Sequence, residues 1–346
     1  MPVSSDYSAL RETAVLGAIA ARRQIAIAGP DRADFLQGLL SNDILALTAG
    51  RGCYAAWLTP QGRMICDLHV LESGDMILLD LPADEAEAAA ARFEQFHFSE
   101  DISIANLAGS LAAVWLHGPQ AAAMLAGLGA QSGAQSGARS GGEPVNAAPD
   151  FGDWLPYQNA RVELAGTSVA IARIDQLGVP GFAIYVDVGQ EPEVTQSLIA
   201  AGAVPATGAT LEAARIESGY PKFGVDMTSD TIPLEAGIED RAISLTKGCY
   251  VGQEVIIRVL HRGHGRVARK LVRLGGVGVV PGHGAKIMIA DKEIGFITSA
   301  AVSPALGPIA MGYVHRDFFA AGTMVDIVSG EGRFPATVLP TAAVSA

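Results

Sequence analysis

Cysteine is scarce in this chain, whose 346 residues include only Cys53, Cys66 and Cys249. The number is odd and no two of them form a CxxC pair, so a disulfide framework is not expected and a reducing compartment is favoured. A closed zinc or iron–sulfur site within one chain usually takes four ligands, mostly thiolates. Three scattered cysteines and seven histidines do not supply such a pattern, and no resident metal is predicted.

Basic residues and long apolar runs are also few. The 24 Lys and Arg residues face 36 Asp and Glu residues, which gives a net charge of −12. This balance argues against direct nucleic-acid binding and against binding to anionic membranes. No uncharged apolar run reaches 18 residues, and the N-terminus lacks the pattern of a signal peptide. The sequence therefore predicts a soluble protein, cytoplasmic in a bacterium or in the mitochondrial matrix of a eukaryote.

Strand and helix patterns alternate along the first two thirds of the chain. Residues 22–29 predict a strand, and residues 30–43 predict a helix that begins at Pro30 and Asp31. Residues 55–73 predict a strand, a tight turn and a second strand. The alternation of strand and helix patterns resumes after residue 110. We therefore predict an α+β fold with two α/β domains whose sheets are mainly antiparallel.

The domain boundaries follow from composition. A Gly/Ser-rich stretch with a doubled QSGA unit predicts a flexible linker. The last part of the chain consists of short strand patterns separated by Gly and Pro, which is typical of a small β-barrel. The predicted divisions are an N-terminal α/β domain (1–128), the linker (129–144), a second α/β region (145–260) and the barrel (261–346).

Lys247 and Cys249 share the glycine-containing stretch KGCYVGQEV, residues 247–255. A cation nearby lowers the pKa of a thiol, so Lys247 is a candidate activator of Cys249. The alternative is that Cys249 is an inert core residue, as many free cysteines are. No adjacent histidine is present to act as a base, so a protease-like dyad is not indicated.

Two further stretches carry candidate ligand contacts. Residues 258–273 hold six Lys or Arg and no acid, which suits phosphates, RNA or carboxylates, or else a solvated connector. Residues 211–227 contain Arg215 and Glu217. A carboxylate such as that of Glu217 can accept two parallel hydrogen bonds from a heterocycle with a ring N–H beside an amino group, as in a pterin or guanine. Pairing of Glu217 with Arg215 or Lys222 is the alternative.

Taken in order, these motifs resemble the YgfZ family of folate-binding proteins, which are relatives of the aminomethyltransferase (T-protein, GcvT) of the glycine cleavage system. The resemblance covers nearly the whole chain apart from the Gly/Ser-rich stretch. The matching stretches are residues 35–44 (FLQGLLSNDI), 58–70 (LTPQGRMICDLHV), 214–227 (ARIESGYPKFGVDM), 231–237 (TIPLEAG), 247–254 (KGCYVGQE) and 295–314 (GFITSAAVSPALGPIAMGYV).

This resemblance implies three domains around a central folate-binding channel, and tetrahydrofolate as the ligand. It implies a role in the assembly or repair of iron–sulfur clusters, with client enzymes or assembly proteins as partners and an indirect effect on tRNA modification. Glu217 matches the pterin-binding glutamate of the T-protein, and Cys249 with Lys247 matches the functional cysteine loop. Further expected ligand contacts are Arg215, Tyr250, Gln253, Arg258 and Arg262, the last two for the glutamate tail.

The alternative function is aminomethyl or one-carbon transfer of the T-protein type. The T-protein has a pair of acids in the hairpin that corresponds to residues 61–67 here. Cys66 stands at the first acid position and only Asp67 remains, so Asp67 supports this function and Cys66 argues against it. A third possibility, tRNA binding through residues 258–273, is disfavoured by the net charge.

Overall fold

The computed structural model describes residues 4–135, 149–261, 266–330 and 332–341. Within these ranges the strands form three layers, which we call the first sheet, the second sheet and the barrel. The first sheet has five strands, the second has six, and the barrel is a closed ring of six. The predicted fold class, with two largely antiparallel sheets and a C-terminal barrel, is confirmed.

Strands and helices alternate along the chain. The strands are β1 (Val15–Leu16), β2 (Arg22–Ala28), β3 (Arg51–Leu58), β4 (Met64–Glu72), β5 (Met76–Pro82), β6 (Ser103–Asn106), β7 (Leu111–His117), β8 (Asn159–Leu164), β9 (Thr167–Arg173), β10 (Gly181–Asp187), β11 (Val204–Pro205), β12 (Arg269–Gly275), β13 (Lys286–Ile289), β14 (Lys292–Ser303), β15 (Gly307–His315), β16 (Met324–Ser329) and β17 (Gly332–Val338). The helices are α1 (Ser5–Glu12), α2 (Arg32–Gln37), α3 (Ala86–Phe96), α4 (Ala121–Gln135), α5 (Glu191–Ala200), α6 (Gly208–Ser218), α7 (Pro233–Ala236), α8 (Glu239–Ala242) and α9 (Gln253–His261).

The first sheet has the strand order β3-β4-β5-β2-β6, and all its pairs are antiparallel. The predicted hairpin is present as β3 and β4, joined by a turn in which Gly62 has a φ of 74°. That conformation suits glycine because it has no Cβ. The helix predicted over 30–43 is shorter, at Arg32–Gln37, because the Gln37 side chain turns back to the backbone N–H groups of Ile44 and Leu45.

The second sheet draws its strands from distant parts of the chain. Its order is β11-β1-β7-β10-β9-β8, so β1 near the N-terminus lies between β11 and β7. Strand β7 pairs with β10 over seven residue pairs. The chain therefore passes from the first sheet to the second between Asn106 and Leu111, ahead of the predicted boundary at 128. Helix α4 extends to Gln135, into the predicted linker; residues 136–144 of that linker lie outside the described ranges.

Each sheet buries one face against helices and turns the other toward its partner. The outer face of the first sheet packs on α2 and α3, where the rings of Trp57 and Phe93 stack at 4.3 Å. The outer face of the second sheet packs on α4 and α5. Between the two inner faces lies a third apolar cluster that includes Leu78 of the first sheet and Trp115 and Tyr185 of the second. Polar side chains placed on these inner faces are therefore buried.

Helix α6 connects the second sheet to the barrel. It begins at Thr207, whose side chain caps the helix, and ends at Gly219 with a φ of 70°. Arg215 is fully buried and its guanidinium lies 2.7 Å from an Asp226 oxygen and 2.5 Å from the Ser299 hydroxyl of β14. It also pairs with Glu212. A buried charge is stable only with such partners, so this network holds the barrel against α6.

We expect Arg215→Met to lower the free energy of unfolding by about 3–5 kcal/mol, because it leaves the buried Asp226 carboxylate without its cation. Urea unfolding of the purified protein measures this change. The matched control is Arg161→Met, which breaks an exposed pair with Asp75 and should change stability by about 1 kcal/mol or less. Equal effects of the two substitutions would contradict a fastening role for Arg215.

Candidate functional site

Alternation along β4 separates two neighbouring residues of the predicted site. Cys66 is buried on the outer face, opposite Trp57 of β3 and among the side chains that contact α2 and α3. Asp67 and His69 point to the inner face, where the Tyr54 hydroxyl donates to Asp67 Oδ2 at 3.1 Å. Successive side chains of a strand lie on opposite faces, so Cys66 and Asp67 do not share a site.

The inner face of the first sheet carries a buried polar group that we call the central cluster: Arg22, Tyr54, Asp67, His69, Asp80 and Tyr220. Arg22 bridges the two carboxylates, with Nε 2.7 Å from Asp80 Oδ2 and Nη1 3.3 Å from Asp67 Oδ2. His69 Nδ1 lies 2.7 Å from Asp80 Oδ2, and its Nε2 lies 3.3 Å from the Tyr220 hydroxyl.

Burial and charge together set the protonation of the cluster. Burial lowers the pKa of His69, and the nearby charge of Arg22 lowers it further, so the ring is neutral at pH 7. Burial acts to raise the pKa of Asp80, but Arg22 and His69 outweigh it and hold that pKa below its usual value. Burial also raises the pKa of Tyr54 well above its ordinary value. Tyr54 and Tyr220 are therefore neutral donors, and the Asp80 carboxylate is a charged acceptor.

A cavity of about 260 Å³ opens onto this cluster. Its lining includes Arg22, Asp67, Gln176 and Tyr220. Asp67 Oδ1 and Gln176 Oε1 are both buried, and neither has a hydrogen-bond partner among the described residues. A buried acceptor left unpaired costs about 1–3 kcal/mol. Two such acceptors beside one cavity mark it as a place for a ligand that brings N–H or O–H donors.

A second cavity, of about 320 Å³, lies between the two sheets and is lined by mainly apolar side chains such as Leu71, Leu78 and Ile171. It is the larger of the two, but its lining lacks the paired charges that surround Asp67. The smaller, polar cavity is therefore the better candidate for chemistry.

Glu217 does not point to this cavity with a free carboxylate. The Tyr7 hydroxyl lies 2.9 Å from both of its oxygens, and Arg11 and Ser303 also donate to it. Its side chain is 10% exposed. The acceptor positions of the carboxylate are thus occupied by α1 and the barrel. The expectation that Glu217 anchors a pterin does not fit this geometry, and Glu217 acts here as a link between elements.

The other predicted ligand contacts are scattered. Arg215 has its donors in the network with Asp226, so it offers none to a ligand. Tyr250 is buried beneath β3, and burial raises its pKa to about 12; its hydroxyl has no partner within the described ranges. Gln253 begins α9 half-buried, and Arg258 is exposed and pairs with Glu254 at 2.6 Å. Arg262 lies outside the described residues.

The basic stretch 258–273 is largely paired where it is described. Arg269 lies 3.3 Å from Glu235, and Lys270 lies 3.3 Å from Glu239. Arg273 donates to the backbone carbonyls of Glu217 and Pro340. These contacts hold the barrel to the rest of the chain, so they do not form an open anion site.

Lys247 and Cys249 face different surroundings. The Lys247 ammonium donates to the carbonyls of Gln37 and Leu40, both at 2.6 Å, and of Asn42 at 2.8 Å. Burial lowers the pKa of Lys247 to about 8. Cys249 is exposed. Since the ammonium is held by the loop after α2, the expected activation of Cys249 by Lys247 is not supported by this arrangement.

The part of the chain that the structure describes holds no group of three or more His, Cys, Asp and Glu side chains placed to bind a metal ion. None of its helices combines the length and apolar character needed to cross a membrane.

Most of the central cluster was not predicted from the sequence. The residues missed are Arg22, Tyr54, His69, Asp80 and Tyr220 of the cluster and Gln176 of the cavity lining. A signal was present, since polar residues at alternate positions of otherwise apolar strands, such as Asp67 and His69, predict a polar patch on one face.

Lys247→Met should destabilise the protein by about 1–3 kcal/mol, because three carbonyls lose a charged donor. It should leave the alkylation rate of Cys249 unchanged. Urea unfolding and mass spectrometry after iodoacetamide treatment measure the two effects, with the exposed Lys286→Met as control. A several-fold slower reaction of Cys249 in Lys247→Met would restore the activation hypothesis.

Comparisons with known proteins agree with this architecture. The model of the GCVT N-terminal domain matches residues 2–247, and that of the glycine cleavage T-protein C-terminal barrel domain matches residues 269–344. The aminomethyltransferase of Saccharopolyspora erythraea is 30% identical over 341 residues, covering 94% of this chain and 85% of that protein. The aminomethyltransferase of Bacillus subtilis is 26% identical over 347 residues, covering 98% and 90%.

A solved structure shows the same fold. The crystal structure of glycine cleavage system aminomethyltransferase T from Bartonella henselae superposes with a TM-score of 0.82 at 24% identity, covering 98% of this chain and 89% of that one. The two family models together cover both α/β layers and the barrel. The chain therefore belongs to the glycine cleavage T-protein family.

Proposed function

We propose that this protein binds tetrahydrofolate in the polar cavity beside Asp67 and acts as a folate-dependent aminomethyl or one-carbon transferase. Aminomethyltransferases of the T-protein type use tetrahydrofolate, and the chain belongs to that family. The observation that carries the proposal is the pair of buried, unpaired acceptors, Asp67 Oδ1 and Gln176 Oε1, beside one cavity.

The chemistry of the cavity fits the pteridine end of the ligand. A tetrahydropteridine presents a ring N–H beside an exocyclic amino group, and both are donors. Asp67 Oδ1 and Gln176 Oε1 are acceptors without donors of their own. The cavity volume of about 260 Å³ lies below that typical of sites that enclose a whole drug-sized ligand. The ring system would thus enter, and the p-aminobenzoylglutamate tail would extend outside.

Asp67 is positioned for this role by its neighbours. Arg22 and the Tyr54 hydroxyl both contact Oδ2, which leaves Oδ1 free and fixes the plane of the carboxylate. Such support by surrounding hydrogen bonds is what a precise binding group needs. When bound, tetrahydrofolate supplies N5 of its ring and N10 of its p-aminobenzoyl arm, the nitrogens that accept a one-carbon unit. Asp67 can hold the ring and accept a proton from a donor nitrogen at Oδ1.

Cys66 does not weaken this proposal. It occupies the first acid position of the hairpin, but its side chain is buried against α2 and α3 on the far face of the sheet. The residue that reaches the cavity is Asp67, and it is an acid. The substitution at position 66 therefore changes the core behind the sheet and leaves the cavity lining unaltered.

We expect Asp67→Asn to weaken tetrahydrofolate binding tenfold or more, because the amide replaces a charged acceptor with a group that also donates. Isothermal titration calorimetry measures the affinity. Glu217→Gln is the matched control, since its carboxylate already binds Tyr7, Arg11 and Ser303, and it should change the affinity less than threefold or so.

A larger loss for Glu217→Gln than for Asp67→Asn would move the pterin site to Glu217 and refute the cavity beside Asp67. Formation of methylenetetrahydrofolate from an aminomethyl donor tests the transferase activity itself, and Asp67→Asn should abolish it. If the wild-type protein binds tetrahydrofolate but forms no product, the transferase function is wrong and the binding function remains.

Support of iron–sulfur clusters in client enzymes, as in the YgfZ branch of the family, is a second candidate function. The observation that favours it is the exposed thiol of Cys249 in the KGCYVGQE loop. An exposed thiol can reach a client or an assembly protein, whereas Cys66 is buried and Cys53 is half-buried. Through clients that modify tRNA, such a protein would affect tRNA modification without binding RNA.

For this candidate, Cys249 should react with iodoacetamide faster than the other two cysteines. Burial raises the pKa of Cys53 to about 12 and that of Cys66 well above its ordinary value, and both thiols are shielded. Cys249→Ser should keep tetrahydrofolate affinity and lose support of iron–sulfur enzymes in cells that lack the native gene. Full complementation by Cys249→Ser, with Cys249 no faster than Cys53, would exclude a working thiol.

A further inference from the structure

A third cavity, of about 220 Å³, lies between the barrel and the segment that follows α6, and we call it the barrel cleft. Its lining comes from the end of α6, from α7 and α8, from β12 and from residues 339–341 after the last strand. None of these residues lines the cavity beside Asp67. The barrel cleft is therefore separate from the site proposed for folate.

Arg273 of β12 lines the barrel cleft and holds two of its walls together. Its Nη1 and Nη2 groups donate to the backbone carbonyls of Glu217 and Pro340. Its Nε is buried and has no hydrogen-bond partner among the described residues. The N–H donors of a guanidinium have fixed relative directions, so the Nε–H cannot turn away while the other two nitrogens are held. The cleft thus contains a fixed, positively charged donor.

Glu239 of α8 lines the same cleft and supplies the opposite kind of group. Lys270 Nζ lies 3.3 Å from Glu239 Oε1. Glu239 Oε2 is buried, and within the described ranges no donor lies in hydrogen-bond distance of it. Arg273 Nε and Glu239 Oε2 therefore do not satisfy each other. Because an unpaired buried polar atom is unfavourable, the cleft suits a molecule that brings both an acceptor and a donor.

The charges and the size of the barrel cleft narrow the class of molecule. Its charged lining residues are two acids and two bases: Glu239, Asp240, Lys270 and Arg273. A ligand with a net charge would leave one charge in the cleft uncompensated, whereas a zwitterion keeps the balance. The volume of about 220 Å³ lies below that typical of sites for drug-sized ligands. Apolar side chains form much of the remaining lining, among them Leu271, Phe319 and Leu339.

We propose that the barrel cleft binds a small aliphatic α-amino acid, whose ammonium donates to Glu239 Oε2 and whose carboxylate accepts from Arg273 Nε. Such a molecule carries both charged groups beside an aliphatic side chain that can contact the apolar lining. Both hydrogen bonds join opposite charges, which makes them stronger than neutral ones. The inference does not depend on the proposed folate function, because the two cavities share no lining residue.

The experiment titrates the wild-type protein by calorimetry with L-valine and three analogues. Isovalerate is valine without the ammonium, isobutylamine is valine without the carboxylate, and glycine lacks the aliphatic side chain. L-valine should bind with a dissociation constant in the millimolar range or below. Isovalerate and isobutylamine should each bind tenfold or more weakly, because one charged group of the cleft loses its partner. Glycine should bind several-fold more weakly, because it buries less apolar surface.

Glu239→Gln removes the acceptor charge and tests where the amino acid lies. It should weaken the binding of L-valine tenfold or more and leave that of isovalerate unchanged, because isovalerate has no ammonium. Glu293→Gln is the matched control: it makes the same substitution in an exposed barrel pair with Lys286 and should leave both affinities unchanged. Asp67→Asn changes the other cavity and should also leave the affinity for L-valine unchanged.

Several results would overturn the inference. Absence of saturable L-valine binding to wild type would exclude an amino-acid site, and equal affinities for L-valine and isovalerate would exclude the role of the ammonium. An equal affinity for glycine would exclude the aliphatic side chain. If Glu239→Gln weakens L-valine binding no more than Glu293→Gln does, or if Asp67→Asn abolishes it, the amino acid binds elsewhere. The unfolding midpoint without ligand shows whether Glu239→Gln is folded, and the wild-type series of ligands decides the matter if it is not.

Discussion

The buried pairing of Arg22 with Asp67 and Asp80 is the constraint on which the candidate site depends. Two carboxylates between apolar sheets would be strongly unfavourable without a cation and further donors. Arg22 supplies the cation to both, while His69 and Gln24 donate to Asp80 and Tyr54 donates to Asp67. Because these partners use one oxygen of Asp67, the other is left as a fixed acceptor. The hydrogen bonds that stabilise the buried Asp67 carboxylate thus also orient its free oxygen for a ligand.

The barrel takes part in the site through the chain around Tyr220. Arg215 donates to the Tyr220 carbonyl at 3.1 Å and to Asp226 at 2.7 Å, and Asp226 accepts from Thr298 and Ser299 of β14. The turn that carries Tyr220 is therefore hydrogen-bonded both to α6 and to β14 of the barrel. A shift of the barrel would move the ring that lines the cavity. The position of the barrel therefore determines the shape of the cavity.

Much of the fold could be predicted from the sequence because it rests on local patterns. The β3–β4 hairpin and the barrel strands follow from alternation and from glycine-rich turns. Strand β1 in the second sheet could not be predicted, since its partners lie about 100 and 190 residues away. Proximity in sequence was also a poor guide to contacts between side chains. Lys247 lies two residues from Cys249, yet its ammonium donates to the carbonyl of Asn42 and to carbonyls close to it. Likewise Arg215 and Glu217 share a helix but bind different partners, because residues two apart point in different directions.

The two candidate functions use different parts of the molecule. The folate site depends on position 67 of β4 and not on position 66. Only every second residue of a strand reaches a given face, so only one of these two adjacent positions can face the cavity. The loss of an acid at position 66 is then compatible with folate chemistry at Asp67. The exposed Cys249 lies in a loop fastened by Lys247 to the segment after α2, and the described residues show no hydrogen bond between that loop and the cluster. A thiol function and a folate site can therefore coexist in this chain, and each can be removed by substitution without the other.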